Sequence, residues 1–223
     1  MSKIGLVKDV CGLFNLYVDT KCCGLGEEIH DKKLYDCGLT ELFKEKIRKD
    51  DLVIDIGAHV GYFTCLAASL VGEYGEVIAF EPSSENYELL RKNIQINGFG
   101  DRVKCFNSAL GSISDIKELH LSKDNTGGHS LRAELVPNIN NGASESVNVI
   151  SLYTFLGPKP ISFIKIDVQG YELEVLKGCD LTYTRMVWCE LWSEAGQVEL
   201  IKTYLLDRFG NINICCNGVL AWR

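Results

Sequence analysis

Residues 51–81 read DLVIDIGAHVGYFTCLAASLVGEYGEVIAFE, and the fold class follows from them. Leu52 to Ile56 is an aliphatic run carrying Asp55 near its end, the pattern of a strand buried on both faces of a parallel sheet. Gly57 and Gly61 punctuate a turn, and the helix after it places Phe63, Leu66, Ala67 and Leu70 at helical spacing. A second strand over 76–80 ends in Glu81. Glycine in the turn lets a ligand press against the backbone, and the free N–H groups of a helix start offer donors at a positive dipole end. Glu81 stands at the carboxyl edge of the sheet, where a ribose diol needs an acceptor. The segment therefore predicts a nucleotide-cofactor site; an ordinary strand-turn-helix would need the acid, both glycines and Glu81 to coincide by chance.

Glycine spacing separates the cofactor classes. Dinucleotide enzymes use G-x-G-x-x-G, which admits a pyrophosphate against the helix start. Here the order is D-x-G-x-x-x-G, with Asp55 on the strand and Ala58, His59 and Val60 between the glycines. An acid at that point suits a positively charged amino-acid moiety and repels a pyrophosphate, which favours S-adenosylmethionine over NAD.

A chain of 223 residues with 46% hydrophobic content suits one domain over 1–223. The net charge of -7, without a basic run, argues against nucleic acid as partner. No stretch has the length of a membrane span and the N-terminus lacks a leader pattern, so the expected partners exclude a membrane and the expected location is cytoplasmic. Ten cysteines without a C-x-x-C pair fit a reduced interior, where Cys65, Cys105, Cys189 and Cys215 serve as small hydrophobes. Cys22, Cys23, His30 and Cys37 match no common zinc spacing, and no metal is expected.

Strand and helix then alternate along the chain. Asn86–Asn97 reads as a helix introduced by Ser83 and Ser84 and stopped at Gly98, and Arg102–Asn107 as a third strand. Ser108 and Ala109 follow at the same edge, where short groups can meet an adenine ring. Residues 1–50 are expected to form a helical cap containing a helix over Leu39–Ile47, and 111–148, turn-rich at 124–130 and 138–142, an insertion over the pocket mouth that carries acceptor specificity. Val147–Leu152 is strand-like. Ile161–Ile166 is a buried strand ending in Asp167, followed by a Gly170 turn and a helix to Gly178; Arg185–Trp192 is the fifth core strand, with Glu190 near its end; helix Gly196–Arg208 leads to a hairpin turning at Asn217-Gly218. The expected class is α/β: a Rossmann-like, mostly parallel seven-stranded sheet with helices on both faces and a C-terminal antiparallel hairpin.

Four stretches, LVIDIGAHVGYFT (52–64), AFEPSSENYELLRKNIQIN (79–97), GGHSL (127–131) and FIKIDVQGYELEVLKG (163–178), resemble FkbM-type methyltransferases, S-adenosylmethionine-dependent enzymes of the class I fold that methylate oxygen. The resemblance implies that Asp55, Gly57, Ala58 and Gly61 surround the methionine part of the cofactor, that Glu81 holds the ribose hydroxyls, that Ser108 and Ala109 lie beside the adenine, and that Asp167 faces the methyl group and the acceptor; Pro82 and His59 are counted with the cofactor site, His59 as the residue that fixes the turn or caps the following helix. It further suggests a small-molecule acceptor, a sugar or polyketide-like hydroxyl. Asp167 is the first candidate for taking the acceptor's proton, with Glu190 as partner and His129 as an alternative base. Lys165 is expected in a structural ion pair, and Glu172 either binds substrate or favours its helix start. His59 stands where the family commonly has Asn, Gln169 where it has Glu, and Tyr153 where an Asp often follows Leu152, so a chain that binds the cofactor without turnover is the alternative, beside an NAD-dependent oxidoreductase. A homodimer is compatible with the sequence.

Overall fold

The computed structural model describes residues 4–21, 24–136, 138–191 and 195–223. In chain order the elements are β1 (Ile4–Val10), β2 (Phe14–Asp19), α1 (Leu25–Lys32), α2 (Cys37–Lys46), β3 (Leu52–Ile56), α3 (Tyr62–Leu70), β4 (Glu76–Phe80), α4 (Ser84–Ile96), β5 (Val103–Phe106) and β6 (Ala109–Leu110). There follow β7 (Asp115–Ser122), β8 (Ile139–Ile150), α5 (Leu152–Leu156), β9 (Ile161–Ile166), α6 (Glu172–Lys177), β10 (Thr184–Glu190), α7 (Ala195–Phe209), β11 (Asn211–Cys215) and β12 (Gly218–Trp222). Among them no helix is long and apolar enough to cross a membrane.

A seven-stranded sheet runs in the order β11-β12-β10-β9-β3-β4-β5, parallel from β10 through β5, with β12 antiparallel to both its neighbours. The reversal from β3-β4-β5 on one side to β9-β10 on the other creates a switch point at the carboxyl ends of β3 and β9, the place where open α/β sheets bind ligands. Side chains alternating across the pleat divide the interior in two. Val53, Val77, Ala79, Phe163 and Trp188 face the packing of α2, α3 and α4, whereas Ile54, Ile56, Ile78, Phe80, Ile164 and Ile166 face α6 and α7. Asp55 and Lys165 share the parity of the first set and are register partners on adjacent strands.

Four expectations are corrected. The N-terminal region is not wholly helical: β1 and β2 form a hairpin, because Phe14, Leu16 and Val18 are buried with a period of two. Its free edge is completed by amides of α4, Asn93 exchanging hydrogen bonds with Tyr17 and Asn97 with Asn15. The segment 138–142 does not stay a turn, since β8 begins at Ile139 and pairs with β7, the register shifting between His120↔Ser144 and Ser122↔Ile139. The C-terminal hairpin turns one residue early, at Cys216-Asn217, both in the left-handed region at φ 53 and 56 as a type I′ turn requires. Gly218 is used elsewhere: an added Cβ would lie 2.6 Å from the carbonyl oxygen of Cys189 and from the Trp188 ring. Helix α4 also starts without the expected serine cap; the Glu81 carboxylate accepts the Ser83 N–H at 3.0 Å. Of the cysteine and histidine group near residue 30, Cys22 and Cys23 lie outside the described residues, as does the expected strand end at Trp192.

Candidate active site

A cavity of about 260 Å³ opens at the switch point. Its lining brings together Gly57, Ala58, His59, Glu81, Pro82, Ser108, Ala109, His129, Asp167 and Glu190 from segments far apart in the chain. Asn107 fixes two of these segments to each other, its Nδ2 donating to the carbonyls of Glu81 and Pro82. Asp55 and Gly61 do not line the cavity.

Asp55 is fully buried behind the turn. Its carboxylate accepts from Thr64 Oγ1 at 2.7 Å and from Lys165 Nζ at 3.2 Å, so the acid read as a cofactor contact is spent on a cation arriving 110 residues later. The glycines are likewise required by the protein rather than by a ligand. At Gly57, φ +77, an added Cβ would sit 1.8 Å from the Asp167 carbonyl oxygen, and at Gly61, φ +92, it would sit 2.6 Å from Leu90 Cδ1. Four of the turn's N–H groups are engaged: those of Gly57 and Ala58 donate to Phe80 O, that of Gly61 to Ala58 O, and that of His59 to Glu81 Oε2. Ligand recognition at these four positions therefore falls to side chains.

Glu81 is the side chain placed to do it. Only 5% exposed, it lines the cavity while accepting from the backbone of His59 and Ser83. Burial raises its pKa from 4.5 to about 7, with the hydrogen bonds from Ser83, His59 and Asn86 offsetting part of the effect.

At the other end of the cavity, Asp167 and Glu190 extend from the neighbouring strands β9 and β10. Gln169 Nε2 lies 2.8 Å from Asp167 Oδ1 and 2.9 Å from Glu190 Oε2, and Lys165 Nζ is 3.6 Å from Asp167 Oδ2. Burial and the adjacent Asp167 charge push Glu190 up to about 10, so this carboxyl keeps its proton at neutral pH. Burial also acts upward on Asp167, but the Lys165 ammonium and hydrogen bonds from Glu190 and Gln169 outweigh it and hold Asp167 below the usual carboxylate range. The pair thus shares one proton. Burial works against the Lys165 ammonium, yet Asp55 and Asp167 more than compensate and keep it charged. With Lys165 positive, Asp55 and Asp167 negative and Glu190 neutral, the cluster carries a net charge of about -1 at the cavity wall. Glu172 stands in the first turn of α6, as one of its two expected roles requires; fully buried, its Oε1 also accepts from Val168 N and Gly170 N and shapes the turn after Asp167.

Burial holds both cavity histidines toward the neutral ring. His129 Nδ1 accepts the Ser122 N–H at 3.0 Å, which leaves the proton of the neutral ring on Nε2, a donor; burial keeps that ring neutral by lowering its pKa. His59, at φ +53, is lowered to about 4 by burial and then by His129, and its Nε2 meets Thr126 Oγ1 at 2.8 Å. It joins the glycine turn to the 3₁₀ turn Thr126–Gly128 of the 111–148 segment. Two further lining residues, Asn86 and Thr126, carried no motif signal that marked them as contacts, and Tyr35, just ahead of α2, lines the cavity as well. Tyr35 packs on Tyr62 and Phe63, and burial together with Asp167 and Asp36 raises its hydroxyl pKa beyond the ordinary range, leaving it a neutral donor.

The family model of the methyltransferase FkbM domain matches residues 55–207. Methyltransferase 1 of Beauveria bassiana is 24% identical over 177 residues, covering 70% of each chain. Hexuronic acid methyltransferase AglP of Haloferax volcanii is 28% identical over 141 residues, covering 61% of this chain and 53% of that one. Among solved structures, methyltransferase FkbM from Methylobacillus flagellatus KT superposes with a TM-score of 0.55 at 15% identity, over 82% of this chain and 50% of that one, a likeness of fold.

Proposed function

Because the chain belongs to the methyltransferase FkbM domain family and is therefore an S-adenosylmethionine-dependent methyltransferase, we propose that it methylates a hydroxyl of a small molecule, a sugar or a polyketide-like acceptor, at the cavity between Glu81 and Asp167. The family membership overturns the oxidoreductase alternative. The observation that carries the reading is the Asp167–Glu190 pair, which keeps one ionised carboxylate, 28% exposed, at the cavity.

The residues fit the cofactor in charge and in hydrogen bonding. When bound, S-adenosylmethionine supplies a methyl group on a sulfonium centre. A net charge of about -1 beside Asp167 favours a cation there, and the buried Glu81 carboxylate is the acceptor suited to ribose hydroxyls. Ser108 and Ala109 give short side chains at the rim for a flat ring. Methyl transfer asks the protein for alignment and for removal of the acceptor's proton. Asp167 accepts a hydrogen bond from the acceptor hydroxyl and takes its proton, while Lys165 and Gln169 hold the carboxylate in place. One relative is a hexuronic acid methyltransferase, which makes sugars the first acceptors to assay.

Glu81 makes cofactor affinity depend on pH. Its carboxyl must ionise to accept from a diol, so affinity rises as pH passes its value of about 7 and then levels off; binding at pH 6 should be about tenfold weaker than at pH 8 by proton linkage. Stability runs the other way. Glu81 is raised in the folded state, so folding is unpenalised below 4.5 and loses about 3 kcal/mol as pH climbs from 4.5 to about 7. Glu81→Gln, whose amide nitrogen cannot accept one of the two backbone N–H bonds, should bind the cofactor more weakly and with a flat pH profile; a profile unchanged by Glu81→Gln would remove the residue from the site.

The reading is tested by calorimetry with S-adenosylmethionine and by release of S-adenosylhomocysteine with a panel of hydroxylated sugars and natural-product acceptors. Binding with acceptor-dependent release is expected. Tight binding without release from any acceptor would show a cofactor-binding chain without turnover, and no binding at all would refute the site.

A further inference from the structure

We propose that Gln169 is a positioning residue, whose amide bridges Asp167 and Glu190 so that the two carboxyls hold one proton between them and turn one ionised oxygen face toward the methyl acceptor. This rests on the reading of Asp167 as the proton acceptor.

The bridge is geometric. Strands β9 and β10 pair in parallel with Cys189 opposite Ile166, which brings Glu190 and Asp167 out side by side at the sheet edge. Two carboxyls so close do not both ionise but hold a proton between them, and the ionised member needs hydrogen-bond donors to keep its charge out of bulk water. The Gln169 amide nitrogen stands where it can serve both, at 2.8 Å and 2.9 Å from one oxygen of each. An amide has two N–H hydrogens and cannot titrate, so it serves both carboxyls at every pH. A carboxylate at this position would instead add a third acid to the cluster.

The chain holds Gln169 there at a conformational cost. The residue lies in the left-handed region at φ +55 and Gly170 follows at φ +101. Three contacts keep the turn in place. Ser130 Oγ donates to the Gln169 carbonyl at 2.7 Å, Glu172 accepts from the backbone on either side, and Gly170 packs so closely on Leu135 that an added Cβ would lie 2.1 Å from Leu135 Cδ1. Two of the three reach in from the 111–148 segment, so the loops above the cavity and the carboxyl pair are set by one strained turn.

Among the described residues, the charged and titratable neighbours of the pair come from several elements. Lys165 and Asp55 face it from the sheet, His59 from the glycine turn and Glu172 from α6. Tyr35 and Asp36 act from the start of α2 and Cys189 from β10 itself. None of these donates to both carboxyls.

The test is an infrared titration of protonated carboxyls in the full-length protein, with Asp167→Asn and Glu190→Gln identifying the bands of the pair. Wild type should keep one carboxyl proton, dependent on Glu190, across the neutral range. Gln169→Leu removes hydrogen bonds to charged groups, so the uptake of a second proton by the pair should move up by about one to two pH units. Gln169→Glu, isosteric with the native residue, should show one additional protonated carboxyl at pH 7. Should the leucine variant not fold, as judged by its melting curve, the glutamate variant decides alone. Folded variants that titrate as wild type does would overturn the proposal. Calorimetry with S-adenosylmethionine on the same samples separates this outcome from the parent reading: a wild-type protein that binds no cofactor refutes the site assignment, while the titration still reports on Gln169.

Discussion

Asp167→Asn lowers the kcat of methyl transfer by about 100- to 10,000-fold, the span that loss of a positioned proton acceptor produces, and weakens S-adenosylmethionine binding far less, through the loss of one negative charge at the cavity wall. Asparagine keeps the size of the side chain and one oxygen for Gln169 to meet, but cannot take a proton. Lys165 stays compensated by Asp55 and by the Gly57 carbonyl at 3.0 Å, so the fold survives the change. Glu190→Gln provides the contrast. Glu190 is pushed up to about 10 and is already neutral at working pH, so an amide there replaces a protonated acid and should cost less than about tenfold. Single-turnover kinetics with the acceptor that supports turnover, together with calorimetry, distinguishes the two. A kcat loss under tenfold for Asp167→Asn, or a larger loss for Glu190→Gln, would move the proton acceptor to another group.

The strand pattern was legible in the sequence because each core strand carries its own signal. A short aliphatic run bounded by glycine or acid needs no knowledge of its neighbours, and β3, β4 and β9 end where the residues say they end. Residues whose role is fixed by a partner elsewhere were misread. Gly57 looks like room for a ligand in local sequence, yet the atom it makes room for is the carbonyl of Asp167. Asp55 looks like a pocket acid until the β3–β9 register sets it opposite Lys165. Gln169 looks like a lost acid, and only the approach of β10 shows it bridging two others. The hairpin at 4–19 was missed for a related reason: β1 turns apolar Ile4 and Leu6 outward, so its pattern does not mark the buried face, and its edge is closed by asparagines of α4, which no propensity reveals.

The Asp55–Lys165 pair carries the second large effect, on stability rather than on turnover. Both side chains are shielded, at 0% and 3% exposure, so removing one leaves the other charged and unsolvated. Breaking a buried pair in this way costs about 3–5 kcal/mol, and Asp55→Ala should lower Tm by roughly 6–20 °C in a chain of this size. Asp167 cannot rescue Lys165 fully, because it stands 3.6 Å away and is partly solvated. Replacing both members by apolar residues, Asp55→Leu with Lys165→Met, should recover most of the loss, since the desolvation penalty disappears along with the attraction. The recovered protein then exposes the pair's second task. Without Lys165, the chief cation holding Asp167 below the carboxylate range is gone, so the acid limb of the pH–rate profile should shift upward in the double variant although its melting curve is restored. Thermal unfolding and the pH dependence of kcat read the two effects independently. If Asp55→Ala abolishes S-adenosylmethionine binding while Tm stays put, Asp55 contacts the cofactor after all and the buried pair is not what holds this end of the sheet together.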